Sequence, residues 1–179
     1  MNKADKAAGP DGAAAPAVDA ASPPRRLFWL GLAVAAAVML LDQASKWAIL
    51  TLIMDPPRVI PLLPFFSLTL VYNPGVTFGL GDALGPYVLS AIAIAISVGL
   101  AFWLRQVDTR LLAVAVGGII GGAVGNVIDR LRFGAVVDFL DFFIGKYHWP
   151  AFNVADSAIV VCVGLIVLDS FIAKREENA

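Results

Sequence analysis

Cysteine, histidine and charge are all scarce in this chain. Its single cysteine, Cys162, excludes an intrachain disulfide framework. Its single histidine, His148, leaves no His pair, and no HExxH motif occurs, which argues against a metal peptidase. No Gly-x-Ser-x-Gly is present, and Ser45 beside Lys46 is a poor nucleophile–base pair because the two are sequence neighbours. Charged residues make up only 15% of the 179 positions, against about a quarter in a soluble domain. With a net charge of −1, there is no basic field of the kind nucleic acid requires. The first 24 residues lack the apolar core of a secretory signal and also lack large apolar side chains. They are expected to form a disordered tail.

What the chain has instead is apolar length. Hydrophobic residues reach 59% and the mean hydropathy is +0.81, values that ask for a solvent other than water. Four stretches approach the roughly 20 residues that cross a bilayer, at about 27–50, 83–104, 111–130 and 150–173. The predicted fold is an α-helical integral membrane protein with four transmembrane helices, because backbone in lipid must satisfy its own hydrogen bonds. Residues 25–175 form the membrane domain and 176–179 a cytoplasmic tail. Placing both termini inside leaves eight Lys and Arg on the cytoplasmic side and five on the outer side, a moderate positive-inside bias. Trp29, Trp47, Trp103 and Trp149 lie near span ends, as an interfacial belt requires.

The first outer segment, about 55–82, is patterned. Phe66, Leu68, Leu70 and Tyr72 alternate with Ser67, Thr69 and Val71, the period of a strand, and Asn73-Pro74-Gly75 supplies turn chemistry. A small sheet lying on the outer membrane surface is expected here. Phe65, Phe66 and Leu68 are candidates for an apolar cover over a site beneath it.

Polar residues within or beside the spans gather at one depth. A charge at mid-bilayer costs on the order of 2.5–3.5 kcal/mol on insertion scales. Yet Asp42, Gln43 and Lys46 lie in the outer half of the first span, and Asn126, Asp129 and Arg130 at the outer end of the third. Asp138 and Asp141 follow in the second outer loop, and Asn153 and Asp156 open the fourth span. A proton-coupled transporter would spread such groups through the full depth, but the second span is wholly apolar and the inner half holds only Asp169. Two aspartates held together share a proton, so one can activate water while the other donates. Asp156 is the firmer candidate, and periodicity leaves its partner open between Asp138 and Asp141. Asp42 and Lys46, four apart on a helix, are placed to pair. Gly117, Gly118, Gly121, Gly122 and Gly125 read as a close helix-packing face.

Five segments, taken in order, resemble one family. They are Asp42-Gln43-Ala44-Ser45-Lys46, Asn73-Pro74-Gly75-Val76-Thr77-Phe78, the run from Gly121 to Arg130, Val136-Val137-Asp138-Phe139, and Phe152-Asn153-Val154-Ala155-Asp156. The chain resembles the lipoprotein signal peptidases, or signal peptidase II, over roughly residues 27–173. The resemblance implies an aspartic endopeptidase of the bacterial inner membrane. It would cut diacylglyceryl-modified prolipoproteins just before the lipidated cysteine, near the periplasmic face. It implies Asp138 and Asp156 as the catalytic pair, with Asp42, Lys46, Asn73, Gly75, Asn126, Asp129, Arg130 and Asn153 in support. It also implies a periplasmic β-cradle around 59–80. Val76-Thr77 departs from the small residues common at that place in the family. The expected protein is a monomer in contact with membrane phospholipid, without cofactor, metal or nucleic acid.

Overall fold

The computed structural model describes residues 25–75 and 85–177. The N-terminal tail, the Val76-Thr77-Phe78 part of the turn motif and the start of the second predicted span lie outside the described residues.

Four helices long and apolar enough to cross a membrane are present among them. α1 (Arg25–Ala48) runs into a π-helical turn at Ile49–Ile53, α2 is Gly85–Leu104, α3 is Arg110–Phe133 and α4 is Val154–Glu177. The boundaries follow local chemistry. Thr109 caps α3, its side chain accepting from Leu112 N, and Gly134 closes it at φ 69° with its N–H bonded to Arg130 O. α4 begins at Val154, a turn later than the apolar pattern suggested, because Asn153 is its cap.

α3 is the hub, packing on α1, α2 and α4. Its glycines are the reason. A Cβ on Gly117 would stand 2.2 Å from the Gly31 carbonyl oxygen, and one on Gly121 would stand 2.4 Å from that of Ala35. The α1 and α3 backbones therefore touch directly, as small-residue interfaces in lipid allow. Leu27, Ala35, Leu104, Val107, Ala113, Val116 and Ile120 fill the core at the other end of the bundle.

The sheet is larger than the sequence suggested. β1 (Ile60–Leu63) and β2 (Phe66–Asn73) are joined by β3 (Val136–Ile144) and β4 (Tyr147–His148) in the order β1-β2-β3-β4. The region expected to be the second outer loop is thus a strand antiparallel to β2, with Val71 opposite Asp138 and Asn73 opposite Val136. Continuous apolar residues in Val136-Val137-Asp138-Phe139-Leu140 hide the alternation, because this strand is buried on both faces. The alternation in β2 misleads in one respect: Ser67 is its most buried residue, since its hydroxyl donates to Asp141. Phe139, Ile49 and Met54 form a second core that fixes the sheet to the end of α1. Phe65 and Phe66 stack on Phe142 at the far end of the β2–β3 pair.

Candidate active site

The helix ends nearest the sheet carry the polar cluster, and its hydrogen bonds can be followed outward from α4. Asn153 Oδ1 accepts from Asp156 N at 3.0 Å, while Asp156 Oδ2 accepts from Asn153 N at 3.2 Å. This reciprocal capping box fixes the Asp156 carboxylate in the first turn, where the helix end favours negative charge. The other Asp156 oxygen accepts from Asn126 Nδ2 at 2.8 Å.

Asp138 reaches the same place from β3. Its Oδ1 accepts from Asn153 Nδ2 at 2.7 Å and its Oδ2 from Asn73 Nδ2 at 3.1 Å. Asn73 is held in turn by Gly75, whose N–H donates to the Asn73 side-chain oxygen at 3.2 Å. Burial, and after it the neighbouring charge of Asp156, pushes the Asp138 carboxyl from its ordinary 3.8 up to about 7. The amide donors of Asn73 and Asn153 and the Lys46 charge oppose that rise. Both carboxylates line one small cleft of about 100 Å³ with Asn73, Gly75, Asn126, Arg130 and Val136.

Beneath the cleft lies an ionic cluster centred on Lys46. Its ammonium reaches Asp129 Oδ2 at 2.7 Å, Asp42 Oδ2 at 2.8 Å and Asn126 Oδ1 at 3.1 Å, so each of its three N–H groups has an acceptor. Each of the two carboxylates also accepts a backbone N–H from the residue next to a cleft aspartate. Asp42 Oδ1 takes Ala155 N at 2.9 Å, and Asp129 Oδ2 takes Val137 N at 3.1 Å. Lys46 thereby ties the end of β3 and the start of α4 to a single point. It also orients Asn126, whose amide oxygen faces Lys46 and Asn153 while its amide nitrogen faces Asp156.

The family model for signal peptidase II matches residues 34–172, and these span all five motif segments. The chain belongs to the signal peptidase II family. A lipoprotein signal peptidase of Shewanella pealeana is 46% identical over 158 residues, covering 86% of this chain and 90% of its own. One from Alteromonas mediterranea is 42% identical over 161 residues, covering 86% of each chain. A solved bacterial membrane enzyme, determined by the in meso method at 2.3 Å resolution, superposes with a TM-score of 0.72. It is 29% identical and covers 80% of this chain and 88% of its own.

Within this signal peptidase II fold the ten residues singled out by sequence fall into two layers. Asn73, Gly75, Asn126, Arg130, Asp138 and Asp156 line the cleft. Asp42, Lys46, Asp129 and Asn153 lie behind it: Lys46 and Asn153 bond to lining residues, while Asp42 and Asp129 hold Lys46 and the backbone next to Asp156 and Asp138. Arg130 lines the cleft with a buried Nε that has no hydrogen-bond partner among the described residues. Asp141 points elsewhere, to Ser67 Oγ at 3.0 Å and His148 Nδ1 at 2.9 Å.

Two expectations fare differently. Ser45 spends its hydroxyl on the Asp42 carbonyl, in keeping with its rejection as a nucleophile. The residues expected as a cover, Phe65, Phe66 and Leu68, do not line the cleft: Phe66 pairs with Phe142 and Leu68 with Leu140, while Asp138 pairs with Val71. Sequence reasoning gave no role to Gln43, whose Nε2 joins α1 to α3 through Asp129 Oδ1 at 3.0 Å and Gly125 O at 3.2 Å. Its position next to Asp42 was the available signal.

Proposed function

We propose that this signal peptidase II removes the signal peptide from diacylglyceryl-modified prolipoproteins, using Asp138 and Asp156 as its catalytic pair. One observation carries the reading: two carboxylates line a single cleft, and burial, with the neighbouring charge of Asp156 second, raises the carboxyl of Asp138 to about 7. Asp156, receiving N–H bonds from Asn126 and Asn153 at the start of α4, takes the part of the base. It takes a proton from water as the water oxygen bonds to the scissile carbonyl carbon. Asp138, protonated, gives its proton to the carbonyl oxygen. Collapse of the tetrahedral intermediate returns that proton to Asp138 and breaks the C–N bond, and the proton held by Asp156 goes to the departing nitrogen. Arg130, a cation at the cleft with an unspent Nε–H, is suited to a substrate carbonyl or to the developing oxyanion.

The same reading has the protein act as a monomer in the bacterial inner membrane, in contact with phospholipid. Both termini are cytoplasmic and the cleft is near the periplasmic face. The distribution of Lys and Arg supports this orientation. The sheet at the cleft end exposes Leu62, Leu63, Phe65 and Ile144, which suits it to an interface.

The test is cleavage of a diacylated prolipoprotein by purified protein in detergent, followed as a gel shift. Asp138→Asn and Asp156→Asn should each abolish cleavage with thermal unfolding still cooperative. Full activity of either variant would refute the pair.

A further inference from the structure

Beside Asp156 lies a second cavity of about 500 Å³, lined by Trp149, Pro150, Ala151, Phe152, Ser157, Val160 and Val161 together with Asp156 itself. Asp156 thus belongs to both the polar cleft and this apolar groove. We infer that the groove is the subsite for one acyl chain of the substrate's diacylglyceryl group, an inference that rests on the function proposed above.

The chemistry of the substrate sets the requirement. The lipid hangs from the residue whose amide bond is cut, so its first methylenes must leave from beside the aspartates. The groove begins at Asp156 and continues along α4 to Val160 and Val161, whose side chains are 71% and 62% exposed and so open to the bilayer. A chain entering from the cleft reaches hydrocarbon without crossing water, which favours each buried methylene by about 0.8 kcal/mol.

The lining selects for alkyl over extended peptide. Ser157 Oγ is spent on the Asn153 carbonyl at 2.8 Å. The Phe152 and Trp149 amides are spent on the carbonyls of Leu140 and Phe142, and Pro150 has no N–H. An extended peptide laid here would find these donors already engaged. An alkyl chain has no polar groups to satisfy.

Two substrates with the same signal peptide, one carrying palmitoyl and one hexanoyl chains, separate the occupants. Val160→Trp fills the groove from a bilayer-facing position, and Ile94→Trp, on the exposed face of α2, serves as the control. The expected result is a KM for the palmitoyl substrate raised about tenfold by Val160→Trp, as loss of roughly two buried methylenes would give. The rise should be markedly smaller for the hexanoyl substrate, and Ile94→Trp should change neither. An equal rise for both substrates would overturn the assignment. Failure of the unsubstituted enzyme to cut either substrate would instead overturn the function on which the subsite rests.

Discussion

Asp138 is buried with a carboxyl that titrates near neutrality, and two consequences follow at the scale of single residues. Cleavage needs its proton, so activity should fall as pH rises above about 7. Stability has the same sign. The folded protein binds this proton more tightly than the unfolded chain, so its contribution is full below about pH 4 and is lost as pH rises through about 7. The unfolding temperature of the wild type should therefore decline between pH 4 and pH 8, and Asp138→Asn should flatten that decline. An unchanged slope in the variant would show that another group carries it. Asp141 gives the contrasting case: Asp141→Asn should keep cleavage within a few-fold. It should cost about 1 kcal/mol through weakened bonds to Ser67 and His148.

Lys46 bridges residues and elements. Fully buried, it neutralises two carboxylates that each hold the backbone beside a catalytic candidate. Removing one partner of such a cluster leaves charge uncompensated, at about 3–5 kcal/mol. Lys46→Met should therefore lower the unfolding temperature, and it should lower kcat by more than it raises KM, because the spacing of the aspartates changes while the rest of the cleft does not. A loss confined to stability, with kcat intact at low temperature, would reduce Lys46 to scaffolding.

At the scale of helices and strands, the decisive contact is between backbones. Gly117 and Gly121 on α3 meet Gly31 and Ala35 of α1, and an added Cβ at either would sit under 2.5 Å from a carbonyl oxygen that no side-chain rotation can move. Gly121→Ala should force the helices apart and cost about 1–3 kcal/mol, read as a lower unfolding temperature in detergent. Because Asp42 lies on α1 and Asn126 and Asp129 on α3, the same separation should weaken activity. Gly99 is the matched control, since nothing lies within 4 Å of a Cβ built there. The sheet makes its contribution through register. Pairing Asn73 with Val136 and Val71 with Asp138 brings the amide of Asn73 within bonding distance of Asp138, and shifting β2 by one residue would turn it to the other face.

At the scale of the whole molecule, the proposed orientation can be tested with the chain's own economy of cysteine. Cys162 is buried within α4. A Tyr147→Cys variant adds a thiol at a position 75% exposed on the sheet. With the sheet outside, an impermeant maleimide should label this variant in intact cells and leave the parent unlabelled. Labelling only after lysis would invert the topology. The four bundled helices and the surface sheet leave the catalytic candidates at a boundary, with the polar cleft on one side of Asp156 and an apolar groove on the other.

The sequence by itself determined the number of helices apolar enough to span a membrane and singled out the polar residues among them. A run of about 20 apolar residues can do little but cross a bilayer, and each polar residue left inside carries a cost that singles it out. It also carried the five ordered segments that identify the family. Only the tertiary structure decided how those residues divide. Asp138 and Asp141 are three positions apart in one strand, and no local pattern distinguishes them, because what separates them is which neighbour each meets: Asn153 from α4, or Ser67 from β2. Likewise β3 could not be read as a strand, since burial on both faces erases its period. Lys46 could be expected to pair with Asp42, four residues away, but its bond to Asp129 spans the fold and exists only once α1 and α3 touch.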